Sequence, residues 1–131
     1  MHTSLKILFI TILALSIIGC RKEAGEGGNS SITGKVKTME YSNSGWLVGE
    51  YYTPEARVYI MYGNNTIYDD DMRTHFDGSY QFDFLYPGSY TVYAYSQCDT
   101  CTSGTEVVME TVEITDKNQV VEVSDLIVND L

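Results

Sequence analysis

Between Asp77 and Ser96 the chain reads DGSYQFDFLYPGSYTVYAYS, and its apolar positions fall on alternate residues. Tyr80 and Phe82 alternate with polar neighbours, and Tyr90, Val92 and Ala94 alternate with Thr91, Tyr93 and Tyr95. A period of two places neighbouring side chains on opposite faces of a strand, so each run predicts a strand with one face in a core. Asp77-Gly78 introduces the first strand and supplies the positive φ of a tight turn; Pro87-Gly88 introduces the second and suits a type II corner. Upstream, Ile32 and Val36 share one face, with Thr33, Lys35 and Lys37 on the other. Ala56, Val58, Ile60 and Tyr62 alternate, and Gly63-Asn64-Asn65 predicts a hairpin into Ile67-Tyr68. Val107 to Ile114 and Val120 to Val128 predict the closing strands on either side of a polar turn at 115–119. The phase of the last one changes between Val123 and Leu126, which predicts a bulge. No helical period survives beyond the N-terminal 19 residues. Short strands at this spacing predict an all-β sandwich of about seven or eight strands.

The run DG-x-Y-x-F-x-x-L-x-PG-x-Y-x-V is carried by Asp77, Gly78, Tyr80, Phe82, Leu85, Pro87, Gly88, Tyr90 and Val92. It resembles the signature of carboxypeptidase regulatory-like domains, which are single prealbumin-like (transthyretin-like) β-sandwiches related in shape to collagen-adhesin B-type repeats. Ile32 to Val36 resembles the opening strand of that family and Pro54 to Val58 its second. The resemblance implies a fold and leaves activity open, because one fold hosts many functions. One enzyme class of this shape, the hydroxyisourate hydrolases, needs paired histidines and a C-terminal Tyr-Arg-Gly-Ser segment. This chain ends Val128-Asn129-Asp130-Leu131 and carries only His75 after its first 19 residues. The isopeptide bond of the B-type relatives needs a glutamate near position 94, where this chain has Ala94.

Residues 1–19 have a basic Lys6 and an apolar run from Ile7 to Ile18, too short for a comfortable membrane span and fitting a signal peptide. Ile17-Ile18-Gly19-Cys20 resembles a bacterial lipobox, which makes Cys20 the expected lipidation site and residues 1–19 a removable lipoprotein signal peptide. Residues 20–30, rich in glycine and polar side chains, then read as a lipidated flexible tether, with the domain over 31–131. Arg21 after the cysteine resembles outer-membrane sorting, and Lys22-Glu23 resembles a surface-export signal of Bacteroidetes-type lipoproteins. The expected place is the bacterial outer membrane, lipid-anchored, facing the periplasm or the cell surface.

Removing 19 of 131 residues leaves 112, enough for one modest core, with 7 basic against 18 acidic side chains. Such an acidic chain repels nucleic acid and anionic head groups, so no nucleic-acid partner is expected and the lipid itself makes the membrane contact. Catalytic chemistry is thinly supplied, and no enzyme activity and no cofactor are expected. Asp69, Asp70 and Asp71 offer oxygen ligands for a metal such as Ca²⁺, but successive strand residues point apart, and a solvated acidic edge is the better reading. Cys98 and Cys101 form a CxxC in a hairpin loop; an exported chain makes a local disulfide the default. What remains is surface. Tyr59, Tyr93 and Tyr95 lie on the outward phase of their strands in a chain with 11 tyrosines. Trp46, in a Ser/Gly-rich connection, is expected to pack as a short strand or a plug, or else to stack a sugar. The function predicted is a non-enzymatic binding or assembly module of a cell-envelope protein complex or adhesion system. The alternative is a carbohydrate-binding surface lipoprotein, so the expected partner is a protein or a glycan.

Overall fold

The structure, a computed structural model, describes residues 22–131. The expected signal peptide at 1–19 and Cys20 lie outside the described residues. Among those described there is no helix, and nine strands form two sheets: β1 (Glu26–Tyr41), β2 (Leu47–Tyr52), β3 (Arg57–Tyr62), β4 (Asp70–Arg73), β5 (Ser79–Leu85), β6 (Gly88–Gln97), β7 (Thr105–Ile114), β8 (Val120–Glu122) and β9 (Leu126–Asp130).

The first sheet is built on β1. Its inward residues run Ser30, Ile32, Gly34, Val36 and Thr38, all buried, and its outward ones remain partly exposed. Along one flank β5 pairs with the first half of β1 and β2 with the second, both antiparallel and lying end to end. Along the other flank β8 and β9 run parallel to it; Ile32, for example, faces Phe82 on one side and Val121 on the other. The second sheet has the order β4-β3-β6-β7 and is antiparallel throughout. Ile32, Val36 and Leu126 from the first sheet and Val58, Ile60 and Val92 from the second are wholly buried in one core. Each such side chain contributes about 1.5–3 kcal/mol by leaving water.

The Asp77-Gly78 turn forms as expected. Gly78 has φ 77°, its N–H donates to the His75 carbonyl at 2.9 Å, and the Asp77 carboxylate accepts from the Ser79 N–H at 3.0 Å. Pro87-Gly88 does something else. The strands before and after it, β5 and β6, belong to different sheets, so it is a corner that carries the chain across the sandwich. Tyr90 locks that corner: its hydroxyl donates to the Tyr86 carbonyl at 2.6 Å and accepts from the Gly25 N–H at 2.9 Å.

That bond also changes the picture of the tether. Residues Glu26 to Ser30 are already strand, and Ala24 packs against the core. The glycines that give the segment its linker-like composition are needed for closeness. At Gly28 a Cβ would collide with the Leu85 backbone, and at Gly27 one would lie 2.7 Å from the Tyr86 hydroxyl. A phase slip explains why Phe82 and Leu85 both point inward. Phe84 between them has φ 58° and stands 71% exposed. The expected bulge between Val123 and Leu126 is a full break, with β8 and β9 as separate strands.

Candidate functional site

The outer face of the second sheet is where the chain's aromatic residues converge. Tyr59 on β3 and Tyr93 on β6 are opposite each other in register. Their rings stack at 4.9 Å between centroids and 13° between planes. Tyr95, two residues along β6 and so on the same face, stands edge-on to both, at 5.7 Å from Tyr59 and 5.9 Å from Tyr93. A fourth ring comes from the β3–β4 connection: Tyr68 meets Tyr59 edge-on at 5.0 Å. Stacked and edge-to-face pairs at such distances each add about 0.5–1.5 kcal/mol beyond burial.

The cluster has a covered centre and open margins. Tyr93 is only 8% exposed, whereas Tyr95 is 54% and Tyr68 46% exposed. The expectation that Tyr93 is an accessible outward residue is therefore corrected: it points outward, but its neighbours cover it. Burial, and then the phenols of Tyr95, Tyr59 and Tyr68, push its hydroxyl above the ordinary tyrosine range, so it stays protonated. Met109 and Val107 on β7 lie opposite Tyr93 and Tyr95 and extend the apolar surface.

Beside the rings the sheet opens. The β3–β6 ladder runs from Tyr62 and Tyr90 to Tyr59 and Tyr93 and goes no further. At that point Arg57, Tyr59, Ala94 and Tyr95 border a cleft of about 260 Å³ whose floor includes Val36 and Val128 of the first sheet. Arg57 closes one side, with Nε 3.0 Å from the Asp71 carboxylate. A larger groove of about 1280 Å³ lies at the other end of the sandwich, but glycines and asparagines, such as Gly27, Gly28, Asn64 and Asn65, make up much of its wall.

The acidic run behaves as an edge. Asp69 accepts from the Tyr62 N–H at 2.7 Å and from the Asn65 amide. Asp70 accepts from the Asp71 N–H, and Asp71 pairs with Arg57. The three carboxylates serve separate partners and do not converge on one point.

Cys98 and Cys101 form a disulfide with their Cα atoms 5.4 Å apart, in the β6–β7 loop as expected. Their sulfurs lie near Glu106, in the one three-residue grouping of metal-ligand spacing among the described residues. Joined sulfurs offer no thiolate to a metal. Trp46 contradicts the expectation of a packed residue: it sits at the tip of the β1–β2 hairpin, 75% exposed, on the first sheet and apart from the tyrosines. The Gly45 turn, with φ 79°, and the Ser42–Trp46 backbone bond hold it there.

Sequence pattern identified Tyr59, Tyr93 and Tyr95 but missed Tyr68 and Arg57. Tyr68 lies in a loop where alternation carries no information. Arg57 becomes part of the site only through the ladder's divergence, which no local signal announces.

No protein-family model matches the chain, and no curated protein matches it. Among solved structures it is similar to a candidate carbohydrate binding protein from Pseudomonas aeruginosa, with a TM-score of 0.51 at 17% sequence identity, over 79% of this chain and 91% of that one. At such an identity the likeness is one of fold.

Proposed function

We propose that the chain is a non-catalytic carbohydrate-binding module, with the tyrosine cluster and its adjoining cleft as the surface that takes the sugar. One observation carries this: four tyrosines from three elements gather on one open sheet face, beside a cleft that cuts into the sandwich. Sugars combine apolar C–H faces with a rim of hydroxyls, and tyrosine combines an apolar ring with a polar tip. The cleft falls below the ~300–1,000 Å³ of sites that enclose small molecules, so it suits one sugar unit of a larger glycan. The fold likeness to a candidate carbohydrate binding protein is in keeping with this reading.

The prealbumin-like assignment and the lipid anchor at Cys20 belong to the same proposal. The first is supported by the Asp77–Val92 motif, the second by Gly19-Cys20 closing an apolar run. Together they describe an envelope lipoprotein that holds glycan near the membrane.

The test is glycan capture by the wild-type protein and by Tyr95→Ala and Tyr68→Ala, whose rings are the accessible ones. Loss of either should weaken capture about tenfold, the equivalent of about 1.4 kcal/mol. Wild-type protein that retains no glycan, or both variants binding as wild type, would overturn the proposal.

A protein-assembly role has its own observation. Trp46, Leu47 and Val48 are all exposed on the β1–β2 hairpin, and β2 is an edge strand of its sheet. Open edges accept further strands. Cross-linking from position 46 to an envelope protein, with glycan capture absent, would favour this reading.

A further inference from the structure

We infer that the sugar held at this face is an acidic one, and that Arg57 and Arg73 read its carboxylate. The inference rests on the carbohydrate reading above. Arg57 on β3 and Arg73 on β4 are direct cross-strand partners, which brings their Cβ atoms within about 4.5–5.5 Å. Arg57 lies two residues from Tyr59, and Arg73 two residues from Asp71, whose side chain reaches Arg57. All four therefore share the outer face of the sheet. Two of the chain's three arginines thus stand side by side against the tyrosine cluster, and Arg57 lines the cleft itself.

Like charges directly opposite each other oppose folding, and a chain of net charge −10 has few cations to place. Three lysines elsewhere in the fold are differently engaged. Lys22 lies 4.5 Å from the Tyr86 ring centre, Lys35 lies 4.6 Å from that of Tyr52, and Lys37 pairs with Glu50. Among the described residues, Asp71 is the one carboxylate within ion-pair distance of either arginine. Arg57 uses Nε on Asp71, and Arg73 donates one N–H to the Glu55 carbonyl at 3.1 Å. Each guanidinium has five donors in a planar fork, so donors remain for a further carboxylate. The overall negative charge does not forbid this, because at physiological ionic strength it is screened beyond about 8 Å.

A uronic acid supplies both parts at once. Its ring meets Tyr95 and Tyr68, and its carboxylate meets the guanidinium pair. A neutral sugar uses only the first.

The experiment measures retention on three polyuronates (polygalacturonate, alginate and hyaluronate) and two neutral polymers (galactan and laminarin), at low and at high salt. Wild-type protein should favour at least one polyuronate over both neutral polymers about tenfold, and added salt should erase the preference. Arg57→Gln and Arg73→Gln should each remove that preference. Arg57→Lys, which keeps the charge and loses the fork, should restore only part of it. Both arginines are exposed, and a thermal melt of each variant confirms its fold. Equal retention of acidic and neutral polymers, or arginine variants that bind polyuronate as wild type, would overturn the inference and leave the carbohydrate reading standing. Retention of none of the five polymers would overturn the inference, and the same result across a broad glycan panel would remove the carbohydrate reading too.

Discussion

The ring of Tyr80 lies across Gly34, its partner in the β1–β5 register, so closely that a Cβ at position 34 would collide with it. The missing side chain on β1 is thus replaced by an aromatic ring from β5. The ring is wholly buried, and its hydroxyl has no hydrogen-bond partner among the described residues. Burial, then the charges of Asp125 and Glu110, pushes that phenol above the tyrosine range. An unpartnered buried hydroxyl costs about 1–3 kcal/mol. Tyr80→Phe should therefore hold or raise stability, by about 1 kcal/mol, and Gly34→Ala should lower it by about 1–3 kcal/mol through overpacking. Urea unfolding with an unchanged slope measures both; a marked loss on Tyr80→Phe would mean that the hydroxyl has a partner.

Tyr93 and Tyr95 lie two residues apart and should respond differently. Tyr93→Ala removes a covered ring from the middle of the cluster and should cost about 2–3 kcal/mol, toward the range of core aromatics. Tyr95→Ala, at an open margin where it loses two edge-on contacts, should cost less, about 1–2 kcal/mol. Equal melting temperatures for the two variants would contradict the covered position of Tyr93.

Phe84 holds a left-handed backbone, which costs a residue with a Cβ about 1–2 kcal/mol, and its exposed ring recovers little of that. Asparagine tolerates this conformation better. Phe84→Asn should be stabilising by about 0.5–1 kcal/mol, read from thermal melts, and a clear loss would show that the ring is packed.

Two carboxyls tie stability to acid. Hydrogen bonds from Ser31 and then Gln81 hold Asp83 below the usual carboxylate value of 3.8. The Ser79 side chain and then its N–H do the same for Asp77. A depressed folded pKa gives stability that is present above the unfolded value and is lost as pH falls through the folded one. Stability should therefore fall below about pH 4, the ordinary range for aspartate, and Ser31→Ala should shrink that acid-dependent part. An unchanged profile in Ser31→Ala would exclude the Ser31–Asp83 bond as its source.

The Cys98–Cys101 bridge closes a very short loop, for which chain entropy allows no more than about 2 kcal/mol. Replacing both cysteines by serine should leave the fold intact and raise amide exchange only around 98–104. Global unfolding would show that the loop organises the β6–β7 pair.

Much of the sandwich was legible because alternation reports which face of a strand is buried. Ile32, Val58, Tyr80, Tyr90 and Val92 were all placed correctly inward. Alternation does not report which strand is the neighbour. That is why the transfer between sheets at Pro87-Gly88, and the parallel return of β8 and β9 beside β1, were not foreseen. Glycine was misleading at 25–28 because a residue that frees the chain in a linker also permits closest approach in a sheet. For the site, the pattern marked three tyrosines as outward but could not say that they meet, which depends on the Tyr59–Tyr93 register.

The parallel pairing of β1 with β9 has a mechanical consequence. β1 enters at Glu26 and β9 leaves at Asp130, which is level with Glu40 at the far end of β1. Tension applied between the chain's two ends pulls these neighbours lengthwise past each other. The bonds from Val36 to Glu40 then carry the load together, where a strand peeled from its edge would lose them singly. Such shear resists force until the whole ladder fails at once, and forced unfolding then follows the height of that barrier.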